Sequence, residues 1–472
     1  MTKTGDSYFD SEDFREILSE YEESQAQGMP VFLDSEELSE IADYYQMLGQ
    51  EEQADEAINL ALSLSPGDVA PLSFKIRQAL YDGDVESAKK YFKQITEKDE
   101  PEYTYIKVEI LISDDCIDEA DACLRKLLRK MPKEECQDFI LDAASIFSDY
   151  GVNDKALEWM RRAEQEDTPD FKEIMARTLF GLGKYGDSAK LFNELIDTDP
   201  FSTRYWNGLA SAQFMNEDYS EAVQSSEFAI AIAPDDPESI LAKANGLYRL
   251  GNYEEALNYF KKYDELVDDD EFSLMNQGSC YVFLGQNDKA RAMLEKAAEV
   301  APKDSPYLCD IYQELAFSLS DDGETDEAIN YLNRTDELDC DHAQLLVIKG
   351  HIMLAADRWE EAEEYFKQAL EMSDNSLQVV MRIIVSLYDN RHLEACYKMF
   401  IEFFKQVPKD YTEGFAYMAL CCYDLKKYDE FLYYLRIACK RNPKECRLVL
   451  SHLFPKDLEP ENYYEYIKKK LK

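Results

Sequence analysis

The chain has 472 residues, of which 45% are hydrophobic and 12% aromatic, so it carries enough apolar surface to fold. Its 97 acidic residues outnumber its 51 basic ones, and the resulting formal charge of -46 excludes nucleic acid as an expected partner. The acidity has two interpretations: it keeps a large surface soluble, or it attracts a basic partner.

The amino terminus has no basic start followed by an apolar run, and no stretch of about 18 apolar residues predicts a membrane helix. We therefore expect a cytoplasmic protein. The 11 cysteines are scattered without a Cys-x-x-Cys pair, mostly at apolar positions of helical patterns. This distribution favours reduced thiols that pack as small hydrophobes over disulfides or metal ligands.

Residues 1–34 form an acidic segment that precedes the repetitive part of the chain. Residues 1–10 show no periodicity, and we expect them to be loose. Ser11 then offers a helix cap, and Gly28 and Pro30 offer helix breakers. Between them one helical face carries Phe14, Ile17, Leu18 and Tyr21. We predict a docking helix that caps the following array.

From residue 35 to residue 445, one pattern recurs with a period of about 34 residues. Each copy has two segments with helical spacing of apolar residues, separated in several copies by a glycine that permits a left-handed turn. A residue early in the second segment marks each copy, and it is small in eleven of the twelve, because two helices approach closely only where side chains are short. The twelve markers are Ala54, Ala88, Ala120, Ala156, Ser188, Ala222, Ala256, Ala290, Ala328, Ala362, Ala395 and Phe431.

The spacing of the markers is not uniform. The steps to Ala120 and to Ser188 are shorter than the usual period, and the step from Ala290 to Ala328 is longer. Because one hairpin cannot bury its own apolar face, consecutive hairpins must stack. The sequence therefore predicts an all-α fold of about twelve stacked helical hairpins.

The segment from Trp206 to Pro234 resembles the tetratricopeptide repeat, whose pattern places small, aromatic and proline residues at fixed offsets. The matching residues are Trp206, Leu209, Ala210, Ala222, Ala229 and Pro234. The resemblance covers about residues 35–445 and implies an α-solenoid, a right-handed superhelix of hairpins. It also implies that the first helix of each hairpin lines the concave side. Relative to the marker, its inward positions are −18, −15, −11 and −8.

Those inward positions hold a candidate binding surface. Position −8 forms an aromatic ladder of Phe180, Phe214 and Tyr248. Apolar anchors with neighbouring amides suit an extended peptide or an inserted helix, although these aromatics could instead belong to the hairpin core. The candidate partner-binding residues are Arg177, Phe180, Arg204, Asn207, Ser211, Phe214, Asn245, Tyr248, Phe272, Met275, Asn276 and Phe317.

This sequence does not match the clamp that the family uses to bind acidic chaperone tails. Asn245 and Asn276 fall at its amide positions, but its first repeat needs a lysine where this chain has Leu241, or Asn207 one repeat earlier. Asp310 and Glu314 stand where its third repeat needs a basic pair, and their charge would repel an acidic tail.

Motifs for catalysis, cofactors and metals are missing from the sequence. The four histidines show no ligand spacing, and no glycine-rich phosphate loop occurs. The acidic run 268–271 lacks the alternation and the distal Glu of a calcium loop, so we interpret it as a solvated turn. We expect no enzymatic activity, no cofactor and no metal.

Residues 446–472 contain a short apolar segment, two prolines and a final helix with Tyr463, Tyr464 and Ile467. We predict carboxyl-terminal capping helices. An alternative is that the basic tip from Lys468 to Lys472 docks on the acidic body of another copy.

These features together predict a non-catalytic scaffold or adaptor. It would bind a peptide or helix of a basic or amphipathic partner protein in its concave groove, near repeats five to nine. The alternative is a structural role through self-association of the terminal caps.

Overall fold

The structure is a computed structural model that describes residue 9 and residues 11–98, 101–164, 167–455 and 457–470. Within these ranges the regular structure is helical, with no strand. The all-α prediction is therefore confirmed. The chain divides into two compact units, Met1–Ala242 and Lys243–Lys472, which are described separately below.

The α-helices follow one another with short connections. In chain order they are α1 (Glu12–Gln27), α2 (Ser35–Met47), α3 (Glu51–Leu64), α4 (Val69–Tyr81), α5 (Val85–Phe92), α6 (Pro101–Ser113), α7 (Ile117–Leu128), α8 (Cys136–Asp149), α9 (Asn153–Met160), α10 (Pro169–Gly181), α11 (Tyr185–Thr198), α12 (Thr203–Met215), α13 (Tyr219–Ile232), α14 (Pro237–Arg249), α15 (Tyr253–Asp264), α16 (Glu271–Phe283), α17 (Asn287–Val300), α18 (Leu308–Asp321), α19 (Thr325–Asn333), α20 (His342–Ala355), α21 (Trp359–Met372), α22 (Leu377–Asp389), α23 (Leu393–Gln406), α24 (Phe415–Asp424), α25 (Tyr428–Arg441), α26 (Pro443–Leu450) and α27 (Tyr463–Lys470). Short 3-10 helices span Arg334–Glu337, Ser451–Leu453 and Pro460–Asn462.

From α2 to α25 the helices pair in order, so that α2 and α3 form repeat 1 and α24 and α25 form repeat 12. The marker residue is the fourth residue of the second helix in every repeat, when Cys396 instead of Ala395 is taken as the marker of repeat 11. It is at most 2% exposed, as expected for the point where two helices approach most closely. The boundary between the two units falls inside α14, the first helix of repeat 7.

One of the twelve markers was assigned wrongly. Ala395 is only half-buried, whereas Cys396 is fully buried and is the fourth residue of α23. The second helix of repeat 11 begins at Leu393, one residue later than the alanine suggests. A buried cysteine packs like a small apolar residue, so it replaces alanine at this position.

The short steps also have a local cause. Helices α5 and α9 are only 8 residues long, whereas α3, α11 and α13 have 14. The shorter steps to Ala120 and Ser188 follow these two shortened second helices. The shortening therefore removes residues from the second helix without changing the turn inside the hairpin.

The turn between the two helices is the same in all repeats. Position −5 relative to the marker has a left-handed backbone, with φ between 58° and 82°. Seven repeats have glycine there, namely Gly49, Gly83, Gly151, Gly183, Gly251, Gly285 and Gly323. Five have another residue, namely Asp115, Glu217, Asp357, Arg391 and Lys426. A side chain at such a backbone costs about 1 kcal/mol relative to glycine.

Replacing Glu217, which has φ 66°, by glycine is expected to raise the free energy of unfolding by about 0.5 to 1 kcal/mol. The matched control is Glu221→Gly, because exposed Glu221 lies inside helix α13. There the same change should lower the free energy of unfolding by about 1 kcal/mol. Urea unfolding followed by circular dichroism measures both, and two losses would contradict the assignment of strain to the turn.

A second buried position, −12 relative to the marker, lies in the middle of the first helix. It holds Ala42, Ile76, Val108, Ala144, Ala176, Ala210, Ala244, Gly278, Ala316, Gly350, Ile384 and Ala419. At the two glycines a bulky residue of the second helix covers the backbone. A β-carbon on Gly278 would lie 2.6 Å from Leu294 Cγ, and one on Gly350 would lie 2.4 Å from Phe366 Cε1.

Helix α1 packs against the amino-terminal repeat. Ser11 caps it by accepting a hydrogen bond from the Phe14 amide at 3.2 Å, and Gly28 ends it with φ 60°. Phe14 is fully buried, and its ring lies 5.2 Å from that of Tyr44 on α2. The expectation that residues 1–10 are loose concerns residues outside the described ranges, except for Phe9, whose ring lies 4.9 Å from that of Phe14.

Helices α26 and α27 extend the core beyond repeat 12. Cys446 and Leu450 of α26 are fully buried, and the rings of Phe454 and Tyr463 stack 3.8 Å apart. Helix α26 begins at Pro443, so this element starts slightly before the boundary expected at residue 446.

The expectation that all cysteines are free thiols is wrong for one pair. Cys309 near the start of α18 and Cys340 just before α20 form a disulfide, with their Cα atoms 6.3 Å apart. The first helices of consecutive repeats lie side by side, which brings together two cysteines that are 31 residues apart in sequence. Of the free cysteines, Cys280, Cys396, Cys421, Cys422, Cys439 and Cys446 are buried.

Candidate partner-binding groove

A cavity of about 930 Å³ lies in the second unit along the first helices of repeats 9 to 12 and α26. Its lining residues lie mostly between positions −18 and −11 relative to the markers, which are the offsets expected for an inward face. Apolar side chains provide most of its floor: Phe317, Val347, Ile348, Met381, Val385, Tyr417 and Leu448. Leu448 is 79% exposed and Phe317 39% exposed, so an incoming chain can cover them.

Polar side chains line one edge of this groove. Arg382 donates to Gln344 and lies 3.6 Å from an Asp341 carboxylate oxygen. Gln344 in turn donates to Gln313 at 3.5 Å. This network holds an arginine and two amides beside the apolar floor, where they can bond the backbone of a bound chain.

Carboxylates occupy the opposite end. Glu445 accepts hydrogen bonds from the Gly414 amide at 2.7 Å and the Ala416 amide at 3.3 Å, which fixes the start of α24 against α26. Burial raises the pKa of Glu445 despite these two bonds. Burial also raises the pKa of Asp389, whereas nearby His351 and Arg391 lower it.

His351 is the one histidine among the described residues that lines the groove. Asn390 Nδ2 lies 3.2 Å from its Nδ1 and donates to it when Nδ1 carries no proton. Burial lowers the pKa of His351. Its ring meets the ring of Phe317 edge to face at 6.0 Å, so it also adds to the apolar floor.

The predicted aromatic ladder packs inside its own hairpins. Each ladder ring meets the first residue of the following helix: Phe180 meets Tyr185 at 5.4 Å, Phe214 meets Tyr219 at 5.3 Å and Tyr248 meets Tyr253 at 5.6 Å. All three ladder rings are half-buried. These contacts support the alternative that the ladder belongs to the hairpin core.

The other predicted residues of the first unit have mixed surroundings. Arg177, Ser211 and Phe180 line a cavity of about 260 Å³, and Arg177 also pairs with Asp149. Arg204 is exposed and pairs with Glu173.

Asn207 is 4% exposed, and both ends of its amide are hydrogen-bonded within the fold. Its Nδ2 donates to Asp236 at 2.9 Å, and its oxygen accepts from Ser239 at 2.8 Å. A partner could not reach this amide, so Asn207 joins neighbouring repeats instead.

The predicted residues of the second unit are not brought together at one cavity. Phe317 lines the groove, whereas the Phe272 ring packs 5.1 Å from that of Tyr307. Met275 packs against a buried cluster, and Asn276 donates to the Phe272 carbonyl at 2.8 Å. Asn245 is half-buried on α14.

Sequence reasoning placed the groove at repeats five to nine and missed repeats ten to twelve. With Cys396 as the marker of repeat 11, Met381 and Val385 fall at the inward positions −15 and −11. The signal that could have found them is the buried cysteine after Ala395, which stands one regular period after Ala362.

Comparison with known families agrees with this geometry. Models of the tetratricopeptide repeat match residues 38–68, 175–237 and 273–304. The chain therefore contains tetratricopeptide repeats (TPRs). The matched ranges contain the markers Ala54, Ser188, Ala222 and Ala290.

Two curated relatives carry similar sequences. TPR repeat-containing protein MJ1428 of Methanocaldococcus jannaschii is 22% identical over 394 residues, with 75% of this TPR chain and 67% of the relative covered. The BBSome complex member BBS4 of Bos taurus is 23% identical over 161 residues, with 34% of this chain and 30% of the relative covered. The chain thus spans about two thirds of one relative and less than a third of the other.

Two solved structures illustrate the structural comparisons. The match to a chain of the APC/C hetero-tetramer Cut9-Hcn1 covers 95% of this chain and 98% of the matched chain. The sequence identity is 13% and the TM-score is 0.36. The match to YrrB, a TPR protein with an unusual peptide-binding site, covers 41% of this chain and 97% of the YrrB chain. The sequence identity is 18% and the TM-score is 0.33.

Across the described part of the chain, no helix has the length and apolar character needed to cross a membrane. The same residues contain no group of three or more His, Cys, Asp and Glu side chains arranged to hold a metal ion.

Proposed function

We propose that this TPR protein is a non-catalytic scaffold that binds a segment of a partner protein in the groove of repeats 9 to 12. The observation that carries the proposal is the exposed apolar floor, with Phe317 at one end and Leu448 at the other. A monomeric surface rarely leaves large apolar side chains together in a concave site unless they meet a ligand.

The groove suits an amphipathic segment. Its floor offers contacts for apolar anchor residues, and the amides of Gln313 and Gln344 can bond a peptide backbone. The carboxylates of Asp389, Glu413 and Glu445 favour basic residues at the flanks of that segment. This combination extends the interaction role that TPR proteins share.

Replacing Phe317 and Leu448 together by serine is expected to reduce partner capture by at least about tenfold, because both anchor contacts are lost. The matched control is Tyr433→Ser, since Tyr433 is 62% exposed but lies on α25 outside the groove. Lysate proteins retained on each immobilised full-length variant can be quantified by mass spectrometry. Equal retention by the double variant and by wild type would contradict the proposal.

Thermal unfolding of each variant separates a binding defect from a folding defect. The two groove positions are substantially exposed, so the double variant should unfold within a few degrees of wild type. If capture were lost only in variants that unfold early, the groove would have no demonstrated role.

A further inference from the structure

A second cavity, of about 500 Å³, lies in the first unit on the inward side of α2 and α4. Asp43 of α2, and Ser73 and Arg77 of α4, are among its lining residues. Asp43 stands at the inward position −11 of repeat 1, and Ser73 at the inward position −15 of repeat 2. This cavity is separate from the groove of repeats 9 to 12 and does not depend on the function proposed for it.

The cavity carries many acids and one cation. Its acidic lining residues are Asp34, Glu36, Glu40, Asp43, Asp68, Glu97 and Glu102, whereas Arg77 is the only basic residue that lines it within the described ranges. The Arg77 guanidinium is already engaged, because it donates to Glu102 at 2.8 Å and to Glu109 at 2.9 Å. The other carboxylates of the cavity therefore share one cation that is already paired twice.

Asp43 is the carboxylate most in need of a cation. It is half-buried, and among the described residues none donates a hydrogen bond to it or forms an ion pair with it. Burial raises its pKa to about 6, Arg77 opposes that rise, and Glu40 and Glu102 add to it. Its charge is thus destabilised by the fold as it stands, and a bound cation would relieve this cost.

Ser73 provides an independent observation. It is 3% exposed, and its hydroxyl has no hydrogen-bond partner among the described residues. A buried hydroxyl without a partner costs free energy, so such a group at a cavity wall points to a ligand that completes its hydrogen bonding. Ser73 lines the same cavity as Asp43.

We propose that this cavity binds a lysine or arginine side chain from a basic segment of a partner protein. The cation would pair with the Asp43 carboxylate and donate to the Ser73 hydroxyl oxygen, satisfying both groups at once. The volume of about 500 Å³ exceeds what one cationic side chain fills, so part of the peptide that carries it fits as well. A bare metal ion fits less well, because the described residues contain no group of three or more metal ligands.

The test uses the full chain and a fluorescein-labelled peptide of eight lysines, with fluorescence anisotropy at about 150 mM salt to screen the general negative field. Asp43→Asn is expected to weaken binding by about tenfold or more, because it removes the charge that the cation meets inside the cavity. Ser73→Ala is expected to weaken it by about threefold. Asp43→Asn keeps the shape of the side chain and Ser73→Ala removes only its hydroxyl group, so both variants should remain folded.

The matched control is Glu52→Gln on α3, which removes one charge from an exposed position of the same repeat. It should change the affinity by less than about twofold. Equal losses for Asp43→Asn and Glu52→Gln would show that the peptide meets only the overall charge and would overturn the proposal. Concentration-dependent dimerisation that Asp43→Asn abolishes would assign the cavity to the basic tip of a second copy, and would overturn it too.

Lowering the pH provides a second readout. Because the pKa of Asp43 is about 6, going from about pH 7.5 to about pH 5 protonates it, and the wild type should lose more affinity than Asp43→Asn does. The other ionisable groups that line the cavity are Asp34, Glu36, Glu40, Asp68, Arg77, Glu97 and Glu102. Their contribution is common to both proteins, so an equal loss in both would count against Asp43 as the binding group.

Discussion

Replacing Trp159 by alanine is expected to lower the free energy of unfolding of the first unit by about 4 kcal/mol. Trp159 is fully buried on α9, and its ring lies 6.1 Å from that of Phe139. Its Nε1 donates to Asp121 at 3.0 Å, and Asp121 is itself 6% exposed. The substitution therefore leaves both a cavity and a buried carboxylate that has lost one hydrogen bond.

The matched control is Trp359→Ala in the second unit. Trp359 is 39% exposed, and its ring lies 4.9 Å from that of His392. Its removal should cost less than about 1 kcal/mol, because little area is uncovered. Urea unfolding followed by far-ultraviolet circular dichroism measures both variants, and similar losses for the two would contradict the packing described for Trp159.

Replacing Gly350 by valine is expected to lower the free energy of unfolding of the second unit by about 3 kcal/mol. Gly350 lies in α20 directly beneath the ring of Phe366, where even a β-carbon would come within 2.4 Å of a ring atom. Two helices that approach this closely must separate, or the ring must leave its position, and the neighbouring repeats then lose contact as well.

The pairing of small and large residues at this point can be tested by compensation. Phe366→Leu shortens the covering side chain and should recover at least about 1 kcal/mol in the double variant. Gly186→Val is the control, since the nearest atom to a β-carbon there is Asn216 Oδ1 at 3.8 Å. That change should be close to neutral by the same urea measurement, and additive losses in the double variant would argue against a direct contact between Gly350 and Phe366.

Much of the fold follows from the repeat frame of the sequence. The small marker, the left-handed turn and the terminal caps are local requirements of a helical hairpin, so they recur in the sequence and can be read from it. The register of repeat 11 is ambiguous in the sequence, because Ala395 and Cys396 are adjacent and both small. One regular period after Ala362 falls at Cys396, and the start of α23 at Leu393 decides for the cysteine.

The candidate site was harder to predict, because an inward offset does not decide what a side chain contacts. Phe214 stands at an inward position but packs on Tyr219, the first residue of the next helix. Asn207 also stands at an inward position, but its amide is hydrogen-bonded to Asp236 and Ser239 of the following repeat. These contacts depend on three-dimensional neighbours that differ from repeat to repeat, so a single period cannot predict them.

The turns of repeats 10, 11 and 12 have a consequence for the energetics of the groove. All three place a residue other than glycine at the left-handed position, namely Asp357, Arg391 and Lys426, and these same repeats carry most of the groove. Each such turn costs about 1 kcal/mol relative to glycine, and the packing of the two helices that it joins must offset this cost. The groove is therefore bordered by three strained turns that the buried core of these repeats holds in place.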